Sequence, residues 1–256
     1  MRAPSMGRPA TKSTSCDAPL SPAEGGAPIY DVLVIGGGAS GLAAAITASR
    51  AGARTCILER DVETGLSILA TGNGRCNVSN SRLDARRYRH PDAVREIFGP
   101  APERDVTASL ESTGIATAEE GEGRLYPMSR RADSVRDALL NTCRREGITV
   151  MACAEPKRHV TGPTGLHEFT VDQARLPLSH KPGRDEKARI RNARKALAAA
   201  DRLDRKVLAR AVVLACGGTS GASCEILNLP HVAEAPVLCP IACTLPPSGD
   251  DETGGR

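Results

Sequence analysis

Gly36, Gly38 and Gly41 stand in the spacing GxGxxG within "GGGASG", and Glu59 follows 21 residues after Gly38. Residues of these types at these intervals can hold a dinucleotide. The first glycine permits a tight turn, the second leaves room for a pyrophosphate to approach the backbone, and the third lets a helix pack closely on a strand. A helix beginning at Ala39 and Ser40 would offer free amides and a partial positive charge to the phosphates. Glu59 would accept the hydroxyls of an adenosine ribose and disfavour a 2′-phosphate, with Arg60 beside it. On this reading a valine at Gly36 fills the space the pyrophosphate needs. The fingerprint by itself does not choose between NAD and FAD. A second stretch, "ATGNGRCN", brings together Thr71, Gly72, Asn73, Gly74, Arg75, Cys76 and Asn77. Almost every residue in it is polar or lacks a side chain, so it is not core and must meet something outside the chain. A third, "VVLACGG", puts Ala215, Gly217 and Gly218 at the end of an apolar run.

These residues need strands and helices to position them. "IYDVLVI" is a nearly all-apolar run, suited to a strand buried on both faces. In "ASGLAAAITASRAG" small residues and the Leu42, Ile46 pair make a tightly packing helix that Gly52 ends. "TCILE" is a second strand. Together they predict an α/β, doubly wound, Rossmann-like fold. Residues 30–35, 55–59 and 211–215 are then strands of one mainly parallel sheet, the first and last side by side. Further along, "DAVREIF" and "PERDVTASLESTG" read as short helices and "GRLYPMS" as an extended piece. "ADSVRDALLNTCRREG" reads as a helix with Val135, Leu139 and Cys143 on one face. "ITVMA", "KRHVT" and "HEFTVD" suggest a small antiparallel meander. Between Lys181 and Arg210 there are eleven Lys or Arg against four Asp or Glu, while Ile190, Ala193, Leu197 and Ala200 recur at helical spacing. This pattern predicts a solvated, basic helical insertion over about 174–210. Residues 1–28 read as a flexible tail, 29–245 as one domain and 246–256 as a frayed end.

Composition narrows the classes of function. With 256 residues, 40% of them apolar, the chain can bury a full core. Aromatics are only 2% and Trp is absent, so little stacking surface exists for single-stranded nucleic acid, and a nucleic-acid partner is disfavoured. An electrostatic patch for RNA or an acidic partner is the lesser reading of the basic segment. Nine scattered cysteines without a CxxC pair indicate neither a zinc site nor a disulfide framework, which points to a reducing, cytoplasmic setting. No apolar run is long enough to span a membrane. The histidines have no spaced partner, so none is assigned as a catalytic base. Cys76 reads as a small packed residue, and Tyr126 as a packed aromatic that could border a pocket.

"DVLVIGGGASGLAAA", "LATGNGRCNVSN", "GRLYPMSRRADSVRDALL" and "VVLACGG", in this order, resemble the YhiN/BaiN-like flavoprotein family, also labelled aminoacetone-oxidase-family FAD-binding enzymes. "ATGNGRCN" is the most specific of the four, and the resemblance runs from about Tyr30 to Gly218, interrupted by the basic segment. It implies an FAD-binding domain of the glutathione-reductase-like type, with FAD as cofactor, NAD(P)H as electron partner and hydride transfer involving a small-molecule substrate. In such a fold the segment after the second strand passes along the flavin. Gly72 and Gly74 would let backbone amides approach it, Arg75 would supply a fixed positive charge, and Asn73 and Asn77 would meet the ring edge.

The chain departs from the family pattern in three places. Leu66 and Ser67 follow Gly65 where the family has basic residues, which implies looser phosphate contacts. The glycine-rich loop expected after Gly218 is replaced by "TSGASCEILNLPHVAEAPVLCPIACTL", and on this resemblance the chain is expected to lack the family's second domain. Two readings result: an FAD-dependent oxidoreductase, or a non-catalytic FAD- or NAD(P)-binding fragment that needs a partner chain or oligomer to complete its site. A flavin held by the short chain alone is expected to be solvent-exposed, weakly bound and only slowly turned over.

Overall fold

The computed structural model describes residues 27–99, 102–175, 185–219 and 221–231. The expected tail, apart from residues 27 and 28, and the expected frayed end lie outside them.

β1 (Ile29–Ile35) leads through a glycine turn into α1 (Ala39–Arg50) and then β2 (Thr55–Glu59). Successive side chains of a strand point to opposite faces, and both faces of these strands are covered. Val34 and Ile57 enter a core with Leu42, Ile46, Val135, Leu139 and Cys143. Leu33, Ile35, Cys56 and Leu58 enter a second core with Tyr30, Phe169, Val171 and Val207. That double burial is why the strands read as unbroken apolar runs rather than alternating ones.

A short helix α2 (Leu66–Leu69) comes next, then β3 (Ser79–Asn80), α3 (Pro91–Phe98), α4 (Pro102–Ser112), β4 (Thr117–Glu120) and β5 (Arg124–Pro127). The three short strands make a separate antiparallel sheet in the order β3-β5-β4. α5 (Ala132–Arg145) returns along the first core through Val135, Leu139 and Cys143, the stripe expected of it. β6 (Thr149–Ala152), β7 (Ala154–Thr161), β8 (His167–Ala174), α6 (Glu186–Ala198), β9 (Arg202–Leu214) and α7 (Gly221–Ile226) complete the described chain.

The main sheet has the order β6-β2-β1-β9-β8-β7. β6, β2, β1 and β9 run parallel, and β8 and β7 continue antiparallel. β1 and β9 are neighbours, with Val34 opposite Val213 on one side and Ile57 on the other. This is the doubly wound α/β architecture expected. β7 also touches β2, so the meander curls back over the second face and closes its core.

Three local readings need correction. "ITVMA" is not part of the meander: β6 adds to the parallel sheet beside β2, where Val150 opposes Ile57. The basic segment is not helical to Arg210, because α6 ends at Ala198 and Arg202–Leu214 is a single strand whose first half pairs with β8 and whose second half pairs with β1. Nor is α6 merely solvated. Ala193 is buried among Val62, Cys153 and Ala174, with Ile190 and Leu197 packed against them. The helical spacing was right about the apolar stripe, and the charge count concealed its partner.

Candidate cofactor-binding site

The glycine turn, the end of β2 and the end of β9 meet at the carboxyl edge of the parallel strands. Gly36 donates to the Leu58 carbonyl at 2.8 Å, and Ala215 donates to the Ile35 carbonyl at 2.8 Å. Each glycine of the fingerprint has a distinct reason to lack a side chain. Gly36 has φ +106°, and a Cβ there would lie 2.4 Å from the Ala215 carbonyl oxygen. Its space is thus taken by β9 rather than kept for a pyrophosphate, which corrects the expected reason for its intolerance of valine. Gly41 would place a Cβ 1.9 Å from the Gly36 carbonyl oxygen, the close helix–strand approach assigned to the third glycine. Gly38 has only the Ser67 hydroxyl within reach, at 3.1 Å, so its outer side is open.

Gly38 caps α1, and no acidic residue lies in the first turn. The first bond of the helix runs from Leu42 N–H to the Gly38 carbonyl at 2.9 Å, leaving the amides of Ala39, Ser40 and Gly41 outside the helix's own ladder. Ala39 and Ser40 are exposed. A helix start of this length, with no side-chain cap and no neutralising acid, can receive an anion such as a pyrophosphate. Beside it, the Glu59 carboxylate accepts from Gly37 N–H and from Asp61 N–H, each at 2.8 Å. Each carboxylate oxygen keeps a lone pair, so Glu59 can still accept ribose hydroxyls while it braces the turn. Arg60 comes directly after it on the surface. The buried Thr64 hydroxyl has no hydrogen-bond partner among the described residues, and Thr64 packs against Gly37. These features fit an FAD or NAD adenosine and its pyrophosphate.

In the loop after β2 the sequence drew attention only to Leu66 and Ser67 after Gly65, yet the loop as a whole sets this geometry. Gly65 N–H bonds the Gly37 carbonyl at 2.8 Å, and α2 places Ser67 over Gly38. The departure at Leu66 and Ser67 therefore puts a hydroxyl, not a charge, at the start of α1. Buried Arg136 fixes the loop from α5, with its Nε donating to the Thr64 carbonyl at 3.0 Å and a terminal nitrogen to Glu63 at 2.6 Å. α6 is tied to the same loop, since Arg189 pairs with Glu63 and Arg194 with Asp61. Burial alone would raise both carboxyls, but Arg189 and Arg136 hold Glu63, and Arg194 holds Asp61, below the usual carboxylate range. Groups with depressed folded-state values stabilise the fold fully above their unfolded values, about 4, and that contribution is lost as pH falls through the folded values. We expect the urea midpoint to drop as pH is lowered from about 5 toward 3, and Glu63→Gln to flatten part of that slope. An unchanged slope in the variant would show that this loop does not report on pH.

Thr71–Gly74 form a 3-10 turn directly after α2. Thr71, Asn73, Gly74 and Asn77 are exposed, and Gly72 lies in the same turn. Asn73, Gly74 and Cys76 all have φ between +54° and +81°, a contorted path that lifts backbone out of the fold. The Cys76 side chain points the other way and is buried beside Val34 and Ile68, as expected of a packed residue. Arg75 does not stand free. It pairs with Glu120 and lies 4.4 Å over the Tyr126 ring, and Arg130 pairs with the same carboxylate. First Arg75 and then Arg130 hold Glu120 below the usual range. Tyr126 is accordingly a buried support for Arg75. Gly217 (φ +63°) and Gly218 are exposed at the end of β9, with open space around both.

Other candidates sort by burial. Cys56 and Cys143 have their thiols pushed up to about 12 and about 11 by burial, so neither supplies a thiolate. No disulfide forms among the described residues, and no group of three or more His, Cys, Asp and Glu among them is placed to hold a metal ion. No described helix is long and apolar enough to cross a membrane. The histidines do hold one surprise, because His159 and His167 come within 2.9 Å across the β7–β8 hairpin, stacked beside Phe169. Partial burial, then the charge of His167, lowers the His159 value, and strand pairing rather than sequence spacing brings the two together.

The HI0933-like protein Rossmann domain family matches residues 30–179. Among curated proteins, the 3-dehydro-bile acid delta(4,6)-reductase of Clostridium scindens is 39% identical over 121 residues, covering 46% of this chain and 29% of that one. The ribosomal RNA dihydrouridine synthase of Escherichia coli is 27% identical over 145 residues, covering 56% and 35%. The matched stretch is thus about a third of either relative's length. Among solved structures, THI4 of Thermovibrio ammonificans is 19% identical with a TM-score of 0.48, over 78% of this chain and 62% of that one.

Proposed function

The chain belongs to the HI0933-like Rossmann domain family, the YhiN/BaiN-like flavoproteins, and on that premise we propose that it binds FAD at the edge formed by β1, β2 and β9 and acts as an FAD-dependent oxidoreductase. NAD(P)H is the proposed electron donor and a small organic molecule the acceptor. The observation that carries this reading is the uncapped start of α1 beside a Glu59 carboxylate already bonded to Gly37. FAD, when bound, supplies the two-electron hydride chemistry, and the protein supplies binding, orientation and charge. The amides of Ala39, Ser40 and Gly41 would hold the pyrophosphate and Glu59 the ribose. Asn73 and Asn77 would present donors and acceptors to the ring edge. Arg75, fixed by Glu120 and Tyr126, would keep a positive charge at the turn without having to be ordered on binding.

A cleft of about 350 Å³ beside Asn77 supports an apolar substrate. Its walls include Tyr88, Val94 and Phe98, and Tyr88 and Phe98 are the two aromatics that the fold leaves exposed while Tyr30, Tyr126 and Phe169 are buried. In a chain so poor in aromatics, two exposed rings at one concave site favour a molecule with an apolar skeleton. The name of the 39%-identical relative indicates such a molecule, and that of the 27%-identical one a ribosomal RNA. The lining of this cleft favours the former class.

The test is the absorption spectrum of the purified chain before and after denaturation, with FAD titration of any cofactor-free protein. Flavin bands that change on release, or saturable FAD binding, are expected. A chain that neither carries nor takes up FAD would overturn the reading. Glu59→Ala should weaken FAD binding by about 1–3 kcal/mol through lost charged hydrogen bonds. It should also lower stability, since Gly37 and Asp61 both lose an acceptor. Unchanged FAD affinity in that variant would remove Glu59 from the site.

A further inference from the structure

We propose that the cleft between α2, the start of α5 and α6 binds the phosphorylated ribose end of a nicotinamide dinucleotide, and that it selects the 2′-phosphorylated form. The cleft holds about 770 Å³ and lies beyond the 71–77 turn, with Gly74 in its lining. Its floor is apolar, formed by Leu66, Leu69, Ile190 and Ala198. Lys187, Arg191 and Lys195 line its rim. They are spaced four residues apart, so they form one stripe on α6 with successive charges roughly 6 Å apart along the axis.

Among the described residues, nothing compensates the charge of that stripe. Arg131 and Arg194 also line the cleft but are engaged by Asp133 and Asp61. The acids in its lining are likewise engaged, Asp133 by Arg131 and Glu186 by Arg136 and Arg189. Among the described residues, Lys187, Arg191 and Lys195 make no ion pair. Like charges four apart destabilise a helix, so an isolated α6 gains nothing from this arrangement, whereas a bound polyanion is met by three cations at once. The N-terminus of α5 opens onto the same space without a side-chain cap, and the charge of its first-turn Asp133 is taken up by Arg131. α6 lies beyond residues 30–179, the stretch that matches the family, so the cleft joins one wall inside that stretch, from α2 and the start of α5, to a basic wall outside it.

A phosphate-rich ligand with a planar, partly apolar body fits a cationic rim over an apolar floor. The proposed flavin reaction requires a two-electron donor of that chemistry, and the identification of the ligand as that donor rests on the flavoenzyme reading. The cation cluster matches a dinucleotide carrying a third phosphate better than one carrying only the pyrophosphate. Here the fixed Glu59 serves the FAD ribose, and the selection of a 2′-phosphate is moved to α6.

Direct binding to the full chain tests this without turnover. Adenosine 2′,5′-bisphosphate, NADP⁺, NAD⁺ and a single-stranded RNA oligomer would be titrated by calorimetry at two salt concentrations, with FAD titrated separately. The same set would be run on the triple variant Lys187→Gln, Arg191→Gln, Lys195→Gln. We expect the bisphosphate and NADP⁺ to bind at least tenfold more tightly than NAD⁺ and to weaken with salt. In the triple variant they should lose tenfold or more in affinity, with the urea midpoint no lower than the parent's, since like-charge repulsion along α6 is relieved, and with FAD binding unchanged. Equal binding of NADP⁺ and NAD⁺, no binding of the bisphosphate, or insensitivity to the triple substitution would overturn the proposal. So would RNA binding through these cations without dinucleotide binding. Bisphosphate binding in a chain that does not take FAD would instead uphold the cleft and defeat the flavin reading.

Discussion

Valine at Gly41 is expected to abolish the folded state and, with it, FAD retention. The added Cβ would lie 1.9 Å from the Gly36 carbonyl oxygen and 3.0 Å from its carbon. Gly36 cannot retreat, because its amide is bonded to Leu58 and the Ala215 carbonyl occupies the space behind it. Overpacking commonly costs about 1–3 kcal/mol, and a clash between two backbone segments where α1 meets the carboxyl edge of the sheet belongs above that range. The expected loss is about 4 kcal/mol or more, read as a collapse of the urea transition or as insoluble protein. Gly218→Ala is the control, since its φ is not in the left-handed region and a Cβ there meets open space. Its stability should stay within about 0.5 kcal/mol of the parent. Its FAD affinity should fall about tenfold if the flavin runs along this backbone. A Gly41→Val protein with the parent midpoint would refute the packing argument, and wild-type FAD affinity in Gly218→Ala would take Gly218 out of the cofactor contact.

The second large effect is expected at Arg136. Its side chain is 10% exposed, bonded to the Thr64 carbonyl and paired with Glu63, and its stem lies against Gly65. Removing one partner of a buried ion pair leaves the other uncompensated, at a cost of about 3–5 kcal/mol. Glu63 keeps Arg189, so Arg136→Ala should fall near the lower end of that range, about 3 kcal/mol. Arg136→Lys should recover only part of it, because an ammonium cannot reproduce the two-directional fork. Reversible urea unfolding measures both, and an Arg136→Ala loss below about 0.5 kcal/mol would show the network to be idle.

The sheet was legible because each of its central strands carries a local signature. The apolar runs around Val34, Ile57 and Val213 fixed the order of the middle, and the glycines that follow the first and last of them located the edge where a cofactor would lie. What stayed hidden depended on partners distant in sequence. Val150 looks like any meander residue until β6 is placed beside Ile57. Arg202 to Arg210 carry the charges of an exposed segment because one half of β9 pairs with a meander whose outer face is wet. Arg136 looked like one more helix cation, and only the fold shows it beneath Thr64. His159 and His167 are eight positions apart with no motif between them, and only the strand register brings their rings together.

The middle of the sheet also has a temporal consequence. β1 sits between β2, its near neighbour in sequence, and β9, the last strand of the described chain, with Val32 opposite Ala211. Closing so long a loop costs entropy before the contact returns any stability, and topologies of this kind assemble slowly. At roughly 5–20 residues per second, a ribosome leaves β1 with one edge unpaired for on the order of ten to forty seconds. During that interval an apolar strand with free backbone groups is a template for pairing with other nascent chains. Yield in a cell should therefore depend on the speed of translation and on chaperone supply more than on the stability of the finished protein.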